Sequence, residues 1–383
     1  MRNFYTKILL SAFITLFSGY ALAVDDHDHD HSNHVKDGQI YGHIDIRFHG
    51  DIITEAQEAD EKFNEVYTHS HAELGMKLAD NITINTNIKL EGESSGHSHG
   101  GGGSTADGND RFFEDHPLLI GELTLNYDNE NFSAYVGKFN PVVGFNYHNF
   151  PGIYGYSQIE GYAIRERVGL GGAIKHDAGD NGTHKFNFST FYADTSWLSD
   201  SLNHRRGRTS YESSGVANTE DLSSYAISLG GSDFYSLTNN FIEGLSYRLG
   251  YAMQAKGMNN EDDEDRYSVS LSYKHRISKD LTAKLVAELM DINHYTGEAG
   301  HDRVYQTTAL KLDYKEWNLG TSYTQVRNDA EEADEAITGH IYQVSAGYMF
   351  DNGIGLDLGY KYSDEEAEVT KRIGAMVTYD YEF

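Results

Sequence analysis

From residue 39 to its end, the chain alternates apolar and polar residues in stretches of about ten, with turn-forming residues between them. Successive side chains of a β-strand point to opposite faces, so a period of two indicates strands and not helices. The sequence therefore predicts an all-β chain whose strands have one apolar and one polar face. The last stretch shows the apolar face most clearly, at Ile373, Ala375, Val377, Tyr379, Tyr381 and Phe383.

Sixteen such strands are predicted, and the connections between them alternate in length. The short connections carry Asn, Asp and Gly, as in Asp351-Asn352-Gly353, and these residues favour tight turns. The predicted strands begin near residues 39, 65, 81, 117, 131, 159, 184, 222, 240, 266, 280, 304, 316, 340, 353 and 371. The long polar loops are predicted over residues 49–64, 94–116, 141–158, 195–221, 257–265, 293–303, 327–339 and 363–370.

Short turns at one end and long loops at the other are typical of transmembrane β-barrels. A closed barrel suits lipid because it satisfies every backbone polar group and leaves no strand edge. The apolar face is rich in Tyr and Gly, of which the chain has 28 and 39, rather than in the branched aliphatic residues of a β-sandwich core. We therefore expect a transmembrane antiparallel β-barrel with short periplasmic turns and long extracellular loops. A soluble sandwich or a β-solenoid is the alternative.

The composition excludes several classes of function. The chain has 30 Lys and Arg against 59 Asp and Glu, a net charge of −29, whereas a nucleic-acid-binding protein needs a basic face. It has no cysteine, which excludes disulfide scaffolds, thiolate zinc sites and thiol nucleophiles. We therefore expect no nucleic-acid partner.

The first residues have the features of a cleaved secretory signal peptide. A positively charged start, an apolar stretch over residues 8–17 and small residues at 21–23 define a signal over residues 1–23. Residues 24–38 then form a flexible segment rich in His and Asp, and residues 39–383 form the barrel. No later segment has the 18 consecutive apolar residues of a membrane-spanning helix.

The signal, the sixteen amphipathic strands and the final Tyr379, Tyr381 and Phe383 together resemble the Gram-negative outer-membrane porins, specifically the 16-stranded general porins. The resemblance covers the mature chain in architecture, and its specific motifs are the signal and the last strand. It implies a location in the outer membrane, a water-filled pore and a homotrimer. It also implies that the barrel-assembly machinery reads the last strand as an assembly signal, and that outer-membrane lipid and lipopolysaccharide surround the barrel.

The resemblance further implies that the third long loop, residues 141–158, folds inward and constricts the pore. This loop lacks the acidic cluster that general porins often carry there, so cation selectivity at the constriction is not implied. Arg165 and Arg167, two residues apart on the strand after the loop, are expected to share a face. The alternative is that they pair with Glu160 and Glu166 in the wall. The candidate residues for the pore lining are Arg47, Lys89, Lys138, Tyr147, Tyr154, Tyr156, Arg165 and Arg167.

Histidines are concentrated near the start, with 11 of the 19 within the first 116 residues. Imidazole and carboxylate groups together suit Zn²⁺, Ni²⁺ or Cu²⁺, and the two nearby pairs on the first two strands give the better-ordered candidate site. A solvated polar tail without a metal role is the alternative. The candidate ligands are His27, His29, His31, His34, His43, His49, His69, His71, His97 and His99.

Acidic residues are concentrated in the predicted loops. They could hold Ca²⁺ or Mg²⁺ beside lipopolysaccharide phosphates, or they could serve solubility alone. None shows the ligand spacing of an ordered calcium loop. The groups are Glu55, Glu58, Asp60 and Glu61; Glu261 to Asp265; Glu331, Glu332, Asp334 and Glu335; and Asp364, Glu365, Glu366 and Glu368.

The most economical function is passive diffusion of small hydrophilic solutes or ions, with no required cofactor and no catalysis. A second transport hypothesis is a channel specialised for divalent metals, with zinc as the leading candidate. A third hypothesis is an adhesin or metal-sequestering protein for which the barrel is only an anchor without an open pore. A TonB-dependent receptor would need a plug domain before the barrel. Only about 15 residues separate the predicted signal from the first strand, which is too few for such a domain.

Overall fold

The computed structural model describes residues 36–57, 61–92, 109–114, 116–146, 149–155, 157–203, 206–213, 215–235, 242–329, 336–365 and 368–383. The predicted signal peptide and the histidine-rich tail lie outside these residues. Within the described ranges, no helix has the length and apolar character that a membrane span requires.

The described residues form one sheet of seventeen strands. β1 pairs with both β2 and β17, so the sheet closes on itself, and every pairing is antiparallel except that of the two-residue β4 with β2. Sixteen strands therefore make the barrel wall, which confirms the predicted fold and strand number. The strands are β1 (Ile40–Glu55), β2 (Asn64–Ala79), β3 (Ile82–Glu91), β4 (Arg111–Phe112), β5 (Leu118–Asp128), β6 (Phe132–Phe139), β7 (Arg167–Asp177), β8 (Thr183–Ala193), β9 (Ser224–Ser232), β10 (Leu245–Gln254), β11 (Glu264–Arg276), β12 (Leu281–Asn293), β13 (Asp302–Tyr314), β14 (Trp317–Asp329), β15 (Ile337–Met349), β16 (Ile354–Glu365) and β17 (Glu368–Glu382).

The side chains alternate between the outside and the lumen of the barrel. On β12, Leu285 and Leu289 point outward and are 48% and 40% exposed. Glu288 and Met290, at positions of the opposite parity, point into the lumen and are buried. Apolar side chains outside and polar side chains inside are what a lipid-facing wall around an aqueous interior requires. The period of two therefore determines which residues face the lumen.

Aromatic rings form two belts on the outer surface, one at each end. At the end of the short connections, the turn end, Trp317 lies 4.8 Å from Tyr348 between ring centroids. Further along the same strands toward the end of the long connections, the loop end, Tyr323 and Tyr342 are also 4.8 Å apart. Such belts mark the two interfaces of a bilayer, where an aromatic ring can place its apolar body and polar edge.

β4 extends the wall where β3 ends early. β3 stops at Glu91, which pairs with His69, so the first residues of β2 extend beyond it at the loop end. β4 pairs with this exposed edge in parallel, and the Phe113 amide donates to the Val66 carbonyl at 2.7 Å. The long second loop thus satisfies backbone groups that would otherwise lack a strand neighbour.

Most predicted strand starts agree with the structure within three residues, but two are wrong. The strand predicted near 240 begins at Leu245, and the one predicted near 159 begins at Arg167. The third loop accordingly runs over 140–166 instead of 141–158, and it contains the short helix α1 (Ser157–Glu160). The apolar residues that suggested a strand here, such as Ile159 and Ile164, pack inside the lumen.

The first loop is also shorter than predicted. Residues 49–55 were expected in a loop, but they continue β1, with His49 and Asp51 facing inward and Ile52 facing outward. The alternation of polar and apolar residues simply continues past the predicted boundary. Asp51, which the predicted boundary placed in an exposed loop, therefore lies in the lumen wall, and His49 lies on the first strand, where the metal-site prediction placed it.

Candidate channel lumen

The third loop, residues 140–166 (hereafter loop 3), enters the lumen from the end of β6 and returns at the start of β7. Its apolar side chains join those of the inner wall in a cluster that lies inside the barrel. Water is therefore excluded from part of the cross-section. The cluster comprises Phe139, Val143, Phe145, Phe150, Ile159, Tyr162, Ile164, Phe191, Ala217, Ala226, Ala252, Val286, Met290, Ile292, Tyr305, Ala309, Val326 and Ile341.

Glu288 on β12 binds both arms of loop 3. Its carboxylate accepts hydrogen bonds from the Phe145 amide at 2.7 Å and from the Tyr162 hydroxyl at 2.5 Å. Ser270 on the neighbouring strand donates to the same carboxylate at 2.5 Å. Hydrogen bonds to a charged group are roughly twice as strong as neutral ones, so this carboxylate is a main anchor of the loop.

The tip of loop 3 reaches the opposite side of the barrel. The Tyr154 hydroxyl donates to Asp51 at 2.8 Å, and the Tyr67 hydroxyl donates to the same carboxylate at 3.2 Å. Arg372 on β17 lies 3.1 Å from Asp51 and 3.0 Å from Glu65. The tip is therefore attached to β1 and β17 through a buried charged network.

A close approach of backbone to wall occurs beside the tip. Gly152 has a φ of +89° and lies so near β15 that a Cβ atom would be 2.5 Å from the Gln343 side chain. Gln343 also donates to the Pro151 carbonyl at 2.5 Å. Only glycine fits this conformation and this spacing without displacement of the wall.

The returning arm is held by a chain of polar contacts at the loop end. Arg266 donates to the Tyr162 carbonyl and forms an ion pair with Glu264 at 2.6 Å. Gln254 donates to Glu264 at 2.6 Å and accepts from Arg167 at 3.1 Å. Arg167 therefore participates in a structural network at the start of β7.

Lys138, predicted to line the pore, is instead almost fully buried, with 1% of its side chain exposed. Its ammonium lies 3.0 Å from Glu166 and 3.1 Å from Asp194, and it donates to the Leu198 carbonyl at 2.9 Å. Burial would raise the pKa of the Glu166 carboxyl, but Arg206 and Lys138 outweigh it and lower that pKa to about 2. This cluster fixes the junction of loop 3 with the wall.

Arg165 and Arg167 do not follow each other along one strand. β7 begins at Arg167, and Glu166 has a φ of +54°, which interrupts the extended backbone between them. Arg165 lies in loop 3 and pairs with Glu160 at 3.4 Å, in agreement with the ion-pair alternative. The expected ladder of two guanidinium groups is therefore not present.

The other predicted lining residues differ in exposure. Arg47 faces the lumen and contacts Asp45, with 3.0 Å between its Nε and the carboxylate. Lys89 faces inward beside Glu91, at 3.7 Å, and only 3% of its side chain is exposed. Tyr154 is buried at the tip described above, and Tyr147 and Tyr156 lie outside the described residues.

Three carboxylates project inward from β2, β3 and β5. Glu73 is 55% exposed and Glu91 22% exposed at the side chain. Glu122 also faces inward, because the β3–β5 pairing has an irregularity in which Gly121 is an extra, unpaired residue. The Asn140 side-chain amide donates to the Glu122 carboxylate at 2.5 Å. The two acidic residues of loop 3, Glu160 and Glu166, are paired with basic groups, so the inward carboxylates of this wall add acidic groups on the side that faces the loop.

The four inward histidines on β1 and β2 form two separate pairs. The His43 and His71 rings are 6.3 Å apart and the His49 and His69 rings 6.5 Å apart, each edge to face. His49 also stacks on Tyr67 at 4.8 Å. Among the described residues, no group of three or more His, Cys, Asp or Glu is placed to hold a metal ion.

The remaining metal predictions stay predictions. His27, His29, His31, His34, His97 and His99 lie outside the described residues, as do several of the loop carboxylates. In the fifth loop, Glu261 and Asp263 accept hydrogen bonds from the Ala299 and Lys256 amides respectively. These two acidic side chains therefore organise loop backbone.

A cavity of about 250 Å³, the turn-end vestibule, opens in the lumen on the side of loop 3 that faces the short turns. Residues 149–152 of loop 3 contribute to its lining, together with inward side chains of β1, β12–β14, β16 and β17. Its charged groups are Asp45, Arg47, Lys284, Lys311, Asp357 and Asp380. Apart from Arg47, none of these was identified as a candidate site residue, although each occupies the polar face of its strand.

Comparison with known proteins supports the fold. No protein-family model matches the chain, and no curated protein matches it. Solved structures of similar architecture include the Pseudomonas putida OprB at high pH, with a TM-score of 0.62, 11% identity, and coverage of 90% of this chain and 94% of that one. The Salmonella typhi OmpF in complex with daunomycin has a TM-score of 0.58, 10% identity, and coverage of 90% and 98%.

The outer-membrane channel DcaP of Acinetobacter baumannii is also similar, with a TM-score of 0.56, 12% identity, and coverage of 90% of this chain and 96% of that one. At such identities the likeness extends to the fold alone. The chain thus has the closed 16-stranded barrel of the outer-membrane porins and channels.

Proposed function

We propose that this chain is an outer-membrane channel of a Gram-negative bacterium, through which small hydrophilic solutes or ions diffuse without catalysis or energy input. The observation that carries the proposal is the lumen itself, in which charged side chains remain exposed beside loop 3. Glu73 is 55% exposed and Lys311 43% exposed, although both face the inside of the barrel. A sixteen-stranded barrel is wide enough for an aqueous channel even when one loop folds inward.

The open path lies to one side of the barrel axis. Loop 3 contacts the wall from β10 to β17, and the apolar cluster, whose wall residues lie on β6, β8–β10 and β12–β15, excludes water on that side. Solutes therefore pass between loop 3 and the inner faces of β1–β3 and β5, and continue into the turn-end vestibule. The short turns face the periplasm and the long loops face outward, as in other barrels of this plan.

We propose a preference for cations along this path. The wall contributes Glu73 and Glu122 in addition to the pairs that Lys89 and Arg165 form with Glu91 and Glu160. An excess of one sign of charge along a path raises the local concentration of the opposite ion. The reversal potential in a salt gradient measures this preference directly.

A homotrimer is the proposed assembly, since the barrel resembles the 16-stranded porins that the sequence also suggested. Outer-membrane lipid, lipopolysaccharide and the barrel-assembly machinery are its proposed partners. Size-exclusion chromatography with light scattering in detergent would test the trimer, and a mass of one chain would contradict it.

The metal-specific channel and the anchored surface protein remain distinct hypotheses that the same experiment separates. Purified protein in planar bilayers should show large, stable conductance steps and a reversal potential on the cation-selective side. Absence of conductance from correctly folded protein would overturn the channel proposal and favour an anchor. Block by micromolar Zn²⁺ would instead place a metal site in the permeation path.

A further inference from the structure

The turn-end vestibule separates its positive and negative groups along one arc of the lumen wall. Lys284 and Lys311 lie on one wall and face inward from β12 and β13, where they are register partners. Lys311 also lies 3.3 Å from Asp313, a pair that is largely exposed at 43% and 39%. An exposed ion pair contributes little, so this ammonium group can exchange its partner for a solute.

A second wall, three strands further around the barrel, carries carboxylates. Asp357 faces the vestibule from β16 and accepts a hydrogen bond from Asn318 at 3.1 Å. Asp380 and Asp45 are register partners on β17 and β1. Asp380 is 36% exposed and lies 3.2 Å from His43, whereas Asp45 is paired with Arg47. The accessible negative groups of this wall are therefore Asp357 and Asp380.

The two walls are far enough apart to leave space between them for a solute. β13 and β16 are three strands apart, which corresponds to about 14 Å along the sheet at about 4.8 Å a strand. The wall curves and the long side chains lean inward, so the charged tips approach more closely than the backbones. A volume of about 250 Å³ restricts the occupant to a small molecule.

Loop 3 closes the vestibule on the side opposite the short turns. Residues 149–152 lie across it, and the positive φ of Gly152 keeps the backbone of this segment against β15. A solute that has passed loop 3 therefore meets both charged walls before it leaves the barrel.

We propose that the turn-end vestibule is a binding site for zwitterionic solutes, namely free amino acids and dipeptides. The solute carboxylate would contact Lys284 and Lys311, and its ammonium group would contact Asp357 and Asp380. This proposal rests on the channel function and names its preferred solutes. A singly charged solute would satisfy only one wall and a neutral one neither, so the vestibule selects for the separation of charge.

Four probes of one backbone test the charge requirement. Glycylglycine is zwitterionic at neutral pH, N-acetylglycylglycine is an anion, glycylglycinamide is a cation and N-acetylglycylglycinamide is neutral. Each would be added on the turn side of single channels in planar bilayers, with current block recorded against concentration. We expect the apparent Kd of glycylglycine to be about tenfold below those of the capped forms, a difference of about 1.4 kcal/mol.

Two double variants test the assignment of residues. Lys284→Gln with Lys311→Gln, and Asp357→Asn with Asp380→Asn, should each raise the apparent Kd of glycylglycine to that of the singly charged probes. The matched control is Lys175→Gln with Lys185→Gln, a register pair near the turn end of β7 and β8 that does not line the vestibule. This control should leave the block unchanged. Heat-modifiable gel mobility would verify that every variant is folded.

Equal block by all four probes would overturn the proposal, and so would an equal effect of the control variant. Because the channel would still conduct in both cases, these outcomes leave the proposed function intact. If the protein does not conduct, calorimetric titration of the detergent-solubilised wild type and variants with the same probes tests whether the vestibule binds glycylglycine, independently of channel activity. Absence of preferential glycylglycine binding there would likewise overturn it.

Discussion

At the scale of single residues, Glu288 joins the two arms of loop 3 to the wall. One buried carboxylate binds the backbone of the outgoing arm of loop 3 and the hydroxyl of its returning arm. The period-two pattern predicts that Glu288 faces inward, since Leu285 and Leu289 lie on the other face. It does not predict the partner, because contacts across a lumen depend on the path of a loop that has no period.

Glu288→Ala should loosen loop 3, because it leaves the Phe145 amide and the Tyr162 hydroxyl without their acceptor. Each hydrogen bond to a charged group contributes roughly 1.5–3 kcal/mol. We expect larger mean conductance and more frequent current fluctuations in planar bilayers. Glu288→Gln keeps one acceptor oxygen, so its mean conductance and current noise should lie between those of Glu288→Ala and the wild type. Unchanged conductance and noise for Glu288→Ala would show that other contacts suffice to hold the loop.

The two predicted arginines should behave differently. Arg165 is exposed to the lumen in part and pairs with Glu160, so Arg165→Ala should remove a positive charge from the lumen and increase cation preference. Arg167 instead donates to Gln254 in the wall, so Arg167→Ala should lower thermal stability and leave selectivity nearly unchanged. Reversal potential and the temperature of heat modification measure the two effects. Equal shifts of reversal potential in both variants would contradict the distinction.

At the scale of elements, the wall strands follow from the sequence and loop 3 does not. A strand such as β12 has an obligatory period because one face meets an apolar surrounding and the other meets the lumen. Residues 159–164 also contain alternating apolar positions, yet they pack inside the barrel. A local pattern specifies that a face is buried, but it does not specify whether lipid or a lumen cluster buries it. The strand predicted near 159 was wrong for that reason.

The last strand completes the closure of the barrel. The Phe383 amide donates to the Gly42 carbonyl at 2.9 Å, and the Gly42 amide donates back to Phe383 at 2.9 Å. The ring of Phe383 is 47% exposed on the aromatic belt at the turn end and stacks with Tyr381. Its side chain is thus available on the outside of the barrel.

Phe383→Ser should impair assembly, because it removes the aromatic end of the strand that the resemblance to porins identifies as the assembly signal. We expect a several-fold lower yield of heat-modifiable barrel in outer membranes. Phe350→Ser is the matched control, since Phe350 is 45% exposed on the same belt and contacts Tyr348. The assembly-signal interpretation fails if both variants reach wild-type yield or if both lose it equally.

At the scale of the whole molecule, the barrel has a polar path and an apolar filling side by side. The sequence predicts the closed wall and the inward loop through its resemblance to porins. It does not predict that the wall residues of the apolar cluster lie on β6, β8–β10 and β12–β15, which depends on where side chains far apart in sequence meet. The four histidines of β1 and β2 illustrate the same difference. Their inward orientation follows from the alternation of faces along a strand, but their division into two separate pairs does not.

The histidine-rich tail offers a test that is independent of the lumen. Deletion of residues 25–34 should reduce the Zn²⁺ stoichiometry of the purified protein if the tail supplies ligands, because it removes His27, His29, His31 and His34. The double variant His43→Gln with His71→Gln is the comparison, because a lower Zn²⁺ stoichiometry in it would indicate binding by the histidines of the lumen. Equilibrium dialysis would measure both, and an unchanged stoichiometry in the deletion variant would exclude the tail as a zinc site.

The charges of the turn-end vestibule, three basic and three acidic groups, nearly cancel, whereas the path beside loop 3 carries Glu73 and Glu122, so the net fixed charge differs along the channel. An uneven distribution of fixed charge causes ions to accumulate under one polarity of voltage and to be depleted under the other. The current–voltage curve should therefore be asymmetric, with rectification strongest in dilute electrolyte. It should vanish near 1 M salt, where the Debye length of about 3 Å is shorter than the width of the vestibule. The direction of that asymmetry would also report which way the barrel has inserted in the bilayer.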